Sequence, residues 1–328
     1  MRIVICPDKF RGTASASRAA QALAAGLSTR DLEIVSIPLA DGGEGTLDAL
    51  GGANRVSQVT GPLGDPVEAQ WRLSSGEAVI EMAQASGLLL AGGSEGNDPL
   101  SATSSGTGEL IAEARASGAR RIVIGVGGSA STDGGLGAIR AMEPLVRFSG
   151  VELVVACDVR TAFLDAPAVF GPQKGATSAQ MELLTRRLSR LAQLYLEEFG
   201  VDVRDLPRAG AAGGLGGGLA AVGARLVDGF GLIAEEIELA DTIAEADLVI
   251  TGEGQLDPES FNGKVVGGVA SIADQHQVRV AAVVGSTNPA TNIPRNMKVY
   301  SLTEIFGHDL AFGDTEKCLT ELGPQLLT

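Results

Sequence analysis

Carboxylates and lysines set among glycines recur along this 328-residue chain, in loops that follow apolar runs. The densest loop is GVGGSASTDGG, residues 125–135, in which Ser129, Ser131 and Thr132 precede Asp133. Gly127, Gly128, Gly134 and Gly135 lack a Cβ, so successive backbone N–H groups can close around an anion, and the hydroxyls add donors. Asp133 would repel a bare polyphosphate unless a hard cation lay between them. The loop therefore points to chemistry on a Mg²⁺-bound nucleotide, with Asp133 a candidate both for the metal and for catalysis.

Five further loops carry related groups. PDKFRGTASA, residues 7–16, sets Asp8, Lys9 and Arg11 between a strand and a helix. Cations at a helix N-terminus oppose its dipole, so a bound anion would account for them. ADGGEGT, residues 40–46, offers Asp41 and Glu44 as Mg²⁺ ligands or as acceptors for a substrate hydroxyl proton. FGPQKGAT, residues 170–177, brings Lys174 between glycines to neutralise a phosphate or a carboxylate, although no Walker A loop and no kinase H-R-D loop occurs. AGAAGGLGGGLAAVG, residues 209–223, contains Gly213 and Gly214 and is too glycine-dense for an intrinsically stable helix, each glycine costing about 1 kcal/mol against alanine. Close approach of backbone to a ligand or to a neighbouring helix would explain it. TGEGQLDPES, residues 251–260, pairs Glu253 with Asp257 around one cation, and Lys264 opens the helix behind.

The elements that must hold these loops share one grammar. RIVIC, LEIVSIPL, RRIVI, VELVVA, DLVIT and VRVAAVV are buried-strand runs, each ending in a polar loop. Between several of them lie helical stretches such as ASASRAAQALAAGLS, TGELIAEARASGA and KVVGGVASIADQHQ. Ligands of open parallel sheets bind beyond the carboxyl ends of strands, so the loops are expected to converge on a cleft. Residues 56–88 break the alternation with short strands joined by Gly-Pro and Ser-Gly turns, which predicts antiparallel pairing. Residues 178–200 form the clearest amphipathic helix, closed by a glycine. The expected organisation is an outer α/β domain, residues 1–58 and 240–328, carrying an inserted mixed α/β domain, residues 59–239, with the cleft between them; a simple two-domain split near residue 150 is the rival arrangement.

Composition narrows the class. A formal charge of −15 disfavours nucleic acid and anionic membrane surfaces as partners, leaving a small-molecule substrate. Cys6, Cys157 and Cys318 are far apart and form neither a zinc motif nor a disulfide framework. No export signal and no long apolar span is visible, so a cytoplasmic setting is expected. His276 and His308 lie outside every glycine-rich loop, which leaves Ser-His or Cys-His nucleophilic catalysis without a base. Residues 125–130 half-match the dinucleotide fingerprint G-x-G-x-x-A, so a nicotinamide dehydrogenase is one alternative; a non-catalytic metabolite sensor is another.

Seven motifs in order, PDKFRGTASA, ADGGEGT, GVGGSASTDGG, ACDV, FGPQKGAT, GAAGGLGGGL and TGEGQLD, together resemble the bacterial glycerate kinase family of the first type. The resemblance implies phosphorylation of D-glycerate with ATP and Mg²⁺, usually at the 2-hydroxyl, and a Rossmann-like parallel-sheet domain carrying a large inserted α/β domain. It also carries functional positions onto Asp8, Lys9, Arg11, Asp41, Glu44, Asp133, Asp158, Lys174, Glu253, Asp257 and Lys264. After ACDV the chain departs from the family pattern, with Arg160, Thr161, Ala162 and Phe163 in place of Thr-Asn-Pro-Leu. On this reading Asp8, Lys9, Arg11 and Glu44 bind substrate. Asp41 takes the hydroxyl proton, with Asp133 and Asp257 as candidates for the same role. Lys174, Lys264 and the glycine loops, Gly127, Gly128, Ser129, Gly134, Gly135, Gly213 and Gly214, hold ATP. Asp133, Glu253 and Asp257 hold Mg²⁺.

Overall fold

A computed structural model describes residues 1–27, 31–261 and 263–327. Its strands are β1 (Arg2–Ile5), β2 (Glu33–Ser36), β3 (Arg55–Thr60), β4 (Pro66–Ser74), β5 (Glu77–Glu81), β6 (Arg121–Gly125), β7 (Glu152–Cys157), β8 (Arg225–Asp228), β9 (Leu248–Leu256), β10 (Arg279–Thr287) and β11 (Met297–Ser301). The chain forms two compact units. One comprises Met1–Asp41, Asp48–Leu50 and Phe230–Thr328; the other comprises Gly42–Leu47 and Gly51–Gly229. β3 straddles the junction expected near residue 58, but it is paired along its whole length with β4 and belongs to the second unit.

The first unit is a parallel five-stranded sheet in the order β11-β10-β9-β1-β2. Its central strands are apolar throughout because both faces are covered. In β1, Ile3 and Ile5 point into one cluster with Leu23, Leu319 and Val283, while Val4 points into another with Val249, Val266 and Val269. Helix Ala16–Gly26 lies on the first face, capped by Ser15, whose hydroxyl accepts the Arg18 N–H. Ser28, the last residue of the predicted helical stretch there, lies outside the described residues. Helix Val265–Gln275 covers the second face. From β1 the chain winds outward to β2, and from β9 it winds the other way through β10 to β11. The switch point of the sheet thus falls between β1 and β9, where open α/β sheets leave a crevice beyond their carboxyl ends.

The second unit holds a mixed six-stranded sheet, β3-β4-β5-β6-β7-β8, antiparallel from β3 to β5 and parallel from β5 to β8. The antiparallel pairing expected over residues 56–88 is present. Ser75 and Gly76 both have positive φ, the type I′ geometry that matches strand twist in a two-residue hairpin. Trp71 on β4 is buried, and its Nε1–H donates to Ser57 Oγ on β3 at 2.8 Å. Helix Ser178–Phe199 agrees with the amphipathic prediction. Thr177 and Gln180 form its capping box, and Gly200 ends it in the left-handed conformation.

The close approach of backbone expected over residues 209–223 is present. The glycine-dense stretch contains a short helix, Leu215–Ala221, with every residue buried. A methyl group at Gly218 would collide with the carbonyl of Gly134, and one at Gly217 with the Phe163 ring. Close packing therefore stabilises what intrinsic propensity disfavours. No helix among the described residues is long and apolar enough to cross a membrane.

Candidate active site

Polar groups gather at the switch point of the first unit because the backbone ladder continues past β1. The N–H of Cys6 donates to Ile250 O, and that of Asp8 to Gly252 O, each at 2.8 Å. Asp8 is thereby laid beside Glu253, which projects from β9. Both are buried, at 6% and 8% exposure, as is Asp41 at 8%. Lys9 Nζ lies 3.8 Å from Asp8 Oδ1 and 3.8 Å from Asp41 Oδ1.

Burial raises the Asp8 pKa from its ordinary 3.8 to about 7; Lys9 opposes the shift and the Asp41 charge adds to it. Burial likewise lifts Glu253 to about 7, opposed by a hydrogen bond from Ser260 and reinforced by Asp8. Glu253 Oε1 has no hydrogen-bond partner among the described residues. Lys264, the residue before helix Val265–Gln275, is half-buried, and its charge lowers the pKa of both Asp8 and Glu253.

The other predicted groups of this unit fare differently. Asp257 is tied to a local turn: its Oδ1 accepts the Ser260 N–H at 3.1 Å, and its own N–H donates to Ser260 Oγ at 3.0 Å. Arg11 is exposed, following the buried Phe10. Asp41 ends one segment of this unit, whereas Glu44, three residues on, belongs to the second unit and is exposed.

In the second unit the 126–135 loop leaves β6 and runs extended beside residues 86–88. Gly128 O accepts the Leu88 N–H at 2.7 Å, and the Ala130 N–H donates to Ser86 O at 3.0 Å. The dinucleotide fingerprint needs a helix that opens directly behind its glycines, and here the helix begins only at Leu136. That physical arrangement disfavours the dehydrogenase reading.

Asp133 is fully engaged. Its Oδ2 accepts the N–H and hydroxyl of Ser104, at 2.9 and 2.8 Å, and the Gly137 N–H at 3.2 Å, while Oδ1 accepts the Gly135 N–H at 3.1 Å. Three donors crowd Oδ2 and one holds Oδ1, which fixes the carboxylate in place. Gly134 and Gly135 are buried under this arrangement, and the Tyr195 hydroxyl donates to Gly134 O at 2.9 Å. Gly213 and Gly214 are buried as well; the Gly213 carbonyl accepts the Gly134 N–H, and a methyl at Gly213 would collide with Ser131 O.

Lys174 is 2% exposed, and its Nζ donates to Ser129 Oγ at 2.8 Å and Ser131 O at 2.6 Å. Burial brings its pKa down to about 7, with Asp133 opposing the shift. Gly127 is half-buried and Gly128 exposed, at the open end of the loop, and Asp158 is half-buried just beyond β7.

Three contributors escaped the sequence reading. Ser104 closes the Asp133 arrangement and also accepts the Ala138 N–H at 3.1 Å. Glu81, buried at the end of β5, accepts the N–H groups of Gly45 and Leu47 and shapes the 43–47 turn. Asn97 joins the 126–135 loop to the Lys174 turn. Only Glu81 left a signal, a carboxylate ending the apolar run EAVIE.

No group of three or more His, Cys, Asp and Glu that could hold a metal ion occurs among the described residues. Mg²⁺ usually takes one or two carboxylates and completes its shell with water and phosphate oxygens. Glu253, with its unpartnered oxygen beside Asp8, fits that smaller donor set.

Comparison with known proteins agrees along the chain. The profile of the glycerate kinase family matches residues 3–146 and 142–326. A protein named glycerate 2-kinase from Escherichia coli is 41% identical over 326 residues, covering 87% of this chain and 85% of that protein. A glycerate kinase from Halalkalibacterium halodurans is 41% identical over 324 residues, with 87% and 85% covered. A crystal structure described as a glycerate kinase 2 from Salmonella typhimurium superposes with a TM-score of 0.79 at 35% identity, covering 99% of this chain and 96% of that one.

Proposed function

Because the chain belongs to the glycerate kinase family and is a kinase acting on glycerate, we propose that it transfers the terminal phosphoryl group of ATP to the 2-hydroxyl of D-glycerate. We also propose that it belongs to the first type of that family and works in the cytoplasm, where its three buried free thiols stay reduced. In this reading the two compact units are its domains, each built from more than one segment of the chain.

The observation that carries the mechanism is the buried pair Asp8 and Glu253 at the sheet's switch point. Phosphoryl transfer asks a protein chiefly for positioning and for groups matched to developing charge. A base works best when its pKa lies near the operating pH, and Asp8 is held at about 7. We therefore move the proton-accepting role from Asp41 to Asp8, and Asp41 becomes the partner that holds Lys9 in place.

Lys9 and the exposed Arg11 of the first unit grip the glycerate carboxylate. Glu253 would hold Mg²⁺ through its unpartnered oxygen, the rest of the shell being water and phosphate oxygens, and when bound the ion offsets charge on the phosphates. Asp257 shapes the turn behind them through Ser260. Lys264 supplies positive potential beside these carboxyls. Gly127, Gly128 and Ser129, toward the open end of the loop, form the backbone cradle for ATP and Lys174 supplies its charge, while the buried Gly134, Gly135, Gly213 and Gly214 pack behind it, the N–H groups of Gly134, Gly135 and Gly214 being donated within the loops. Asp133, with four bonds accepted inside the loop, positions that cradle rather than binding metal.

Incubation with ATP, Mg²⁺ and D-glycerate is expected to yield ADP, with phosphate on the 2-hydroxyl by ³¹P NMR. ADP formation no greater than without glycerate would overturn the activity. Phosphate on the 3-hydroxyl would overturn the assigned position alone.

A further inference from the structure

A buried polar atom without a partner costs about 1–3 kcal/mol, so a group of them marks a place that a ligand completes. Asn97 Oδ1, Ser131 Oγ and Thr132 Oγ1 are all in this state among the described residues of the second unit. Ser131 and Thr132 are consecutive in the chain, and Asn97 and Lys174 are bonded to the same stretch of loop. Asn97 Nδ2 donates to the carbonyls of Ala130 and Lys174, at 3.2 and 3.0 Å, and Lys174 Nζ donates to Ser131 O. With its second bond to Ser129 Oγ, the Lys174 ammonium keeps one N–H without a partner among the described residues. It forms no ion pair there either; only the longer-range charge of Asp133 opposes its burial.

We propose that Lys174, Ser131 and Thr132 form a subsite for a tetrahedral phosphoryl oxyanion, built wholly within the second unit. Three of the groups left over can donate, one N–H of a cation and two hydroxyls, while Asn97 Oδ1 is an acceptor that only a proton-bearing phosphate oxygen would satisfy. A cation is disfavoured, because the nearby Asp133 carboxylate already accepts four bonds. A phosphoryl group presents three oxygens to these three donors, where a carboxylate presents two. The inference rests on the kinase reading and deepens it by naming side chains that are kept bare for the phosphoryl group.

The hydroxyls of Ser131 and Thr132 bond nothing among the described residues, so Ser131→Ala and Thr132→Val remove no hydrogen bond seen there. The double variant is expected to melt at or above the wild-type temperature. In calorimetric titration with inorganic phosphate it is expected to bind at least tenfold more weakly, about 1.4 kcal/mol. Lys174→Met serves as the charge-deleted comparison, with no measurable phosphate binding expected. Parallel titrations with ADP and with 2-phosphoglycerate distinguish the sources: tighter binding of ADP assigns the subsite to the nucleotide, and tighter binding of 2-phosphoglycerate to the product.

Unchanged phosphate affinity in the double variant would overturn the proposal. So would a fall of several degrees in its melting temperature, which would mark the hydroxyls as structural. Absence of phosphate binding in a wild-type chain that still forms ADP would remove the subsite and leave the kinase reading standing. Loss of both would remove both.

Discussion

Replacing Asp8 with asparagine is expected to make the protein more stable at pH 8 and far less active. A carboxyl moved from 3.8 to about 7 by burial disfavours the ionised fold by about 4 kcal/mol, at about 1.36 kcal/mol per unit. The sign follows from proton linkage. Below about pH 4 the group is protonated in folded and unfolded chains alike, and the variant gains nothing. Between about 4 and 7 the unfolded chain ionises while the fold retains its proton, so the wild type loses stability as pH rises. Asparagine never ionises, and its Oδ1 can still accept the Lys9 N–H that Asp8 accepts at 2.7 Å. A buried amide itself costs about 1–3 kcal/mol, so roughly half of the gain survives at pH 8, about 2 kcal/mol. At about 2–4 °C per kcal/mol this raises the melting temperature by roughly 4–8 °C at pH 8, whereas at pH 4, where only the amide cost remains, the variant melts lower by a similar amount. Loss of the base should lower kcat by about 100-fold or more. Calorimetric melts of both proteins across pH 4–8, with ADP release measured on the same samples, make the test. A variant that melts lower than wild type by the same amount at both pH values would refute the argument, because the carboxylate would then be a net stabiliser.

Asp133→Ala leaves three donors facing a vacancy at Oδ2 and should destabilise the second unit by about 3 kcal/mol or more; equal urea midpoints would contradict this. Gly218→Ala gains about 1 kcal/mol of helix propensity but meets the Gly134 carbonyl, an overlap costing about 1–3 kcal/mol, so it should melt lower. Ser75→Asn suits the left-handed φ of the β4–β5 turn and should raise the melting temperature by a degree or two without changing ADP release. A lower melting temperature there would show that the Ser75 side chain does more than occupy the turn.

Much of the fold was legible because it depends on short-range rules. The apolar runs predicted β1, β6, β7, β9 and β10, since strands buried on both faces leave no room for polar alternation. Ser-Gly in residues 56–88 announced a hairpin, and Thr177, Gln180 and Gly200 bounded the long helix. The helix at Leu215–Ala221 was not legible, because its stability comes from contacts with Phe163 and Gly134 that composition cannot reveal. Nor was the dehydrogenase alternative resolved by its motif. The glycines matched; the extended path of the loop beside residues 86–88 did not.

By itself the sequence determined which chemistry was on offer: carboxylates, lysines and hydroxyls in glycine loops behind parallel strands, in an order that resembles one kinase family. Residue type and spacing suffice for that, because they set what a loop can bind. Only the tertiary structure decided how each group is employed. Asp8, Asp133 and Asp257 look alike as acidic loop residues, yet burial near Glu253 brings Asp8 to about 7, Ser104 and two backbone N–H groups occupy Asp133, and Ser260 holds Asp257. The physical reason is that a carboxylate's proton affinity and free lone pairs are set by its neighbours in space, and those neighbours lie up to 245 residues away along the chain, the span between β1 and β9 bridged by Thr251 and Cys6.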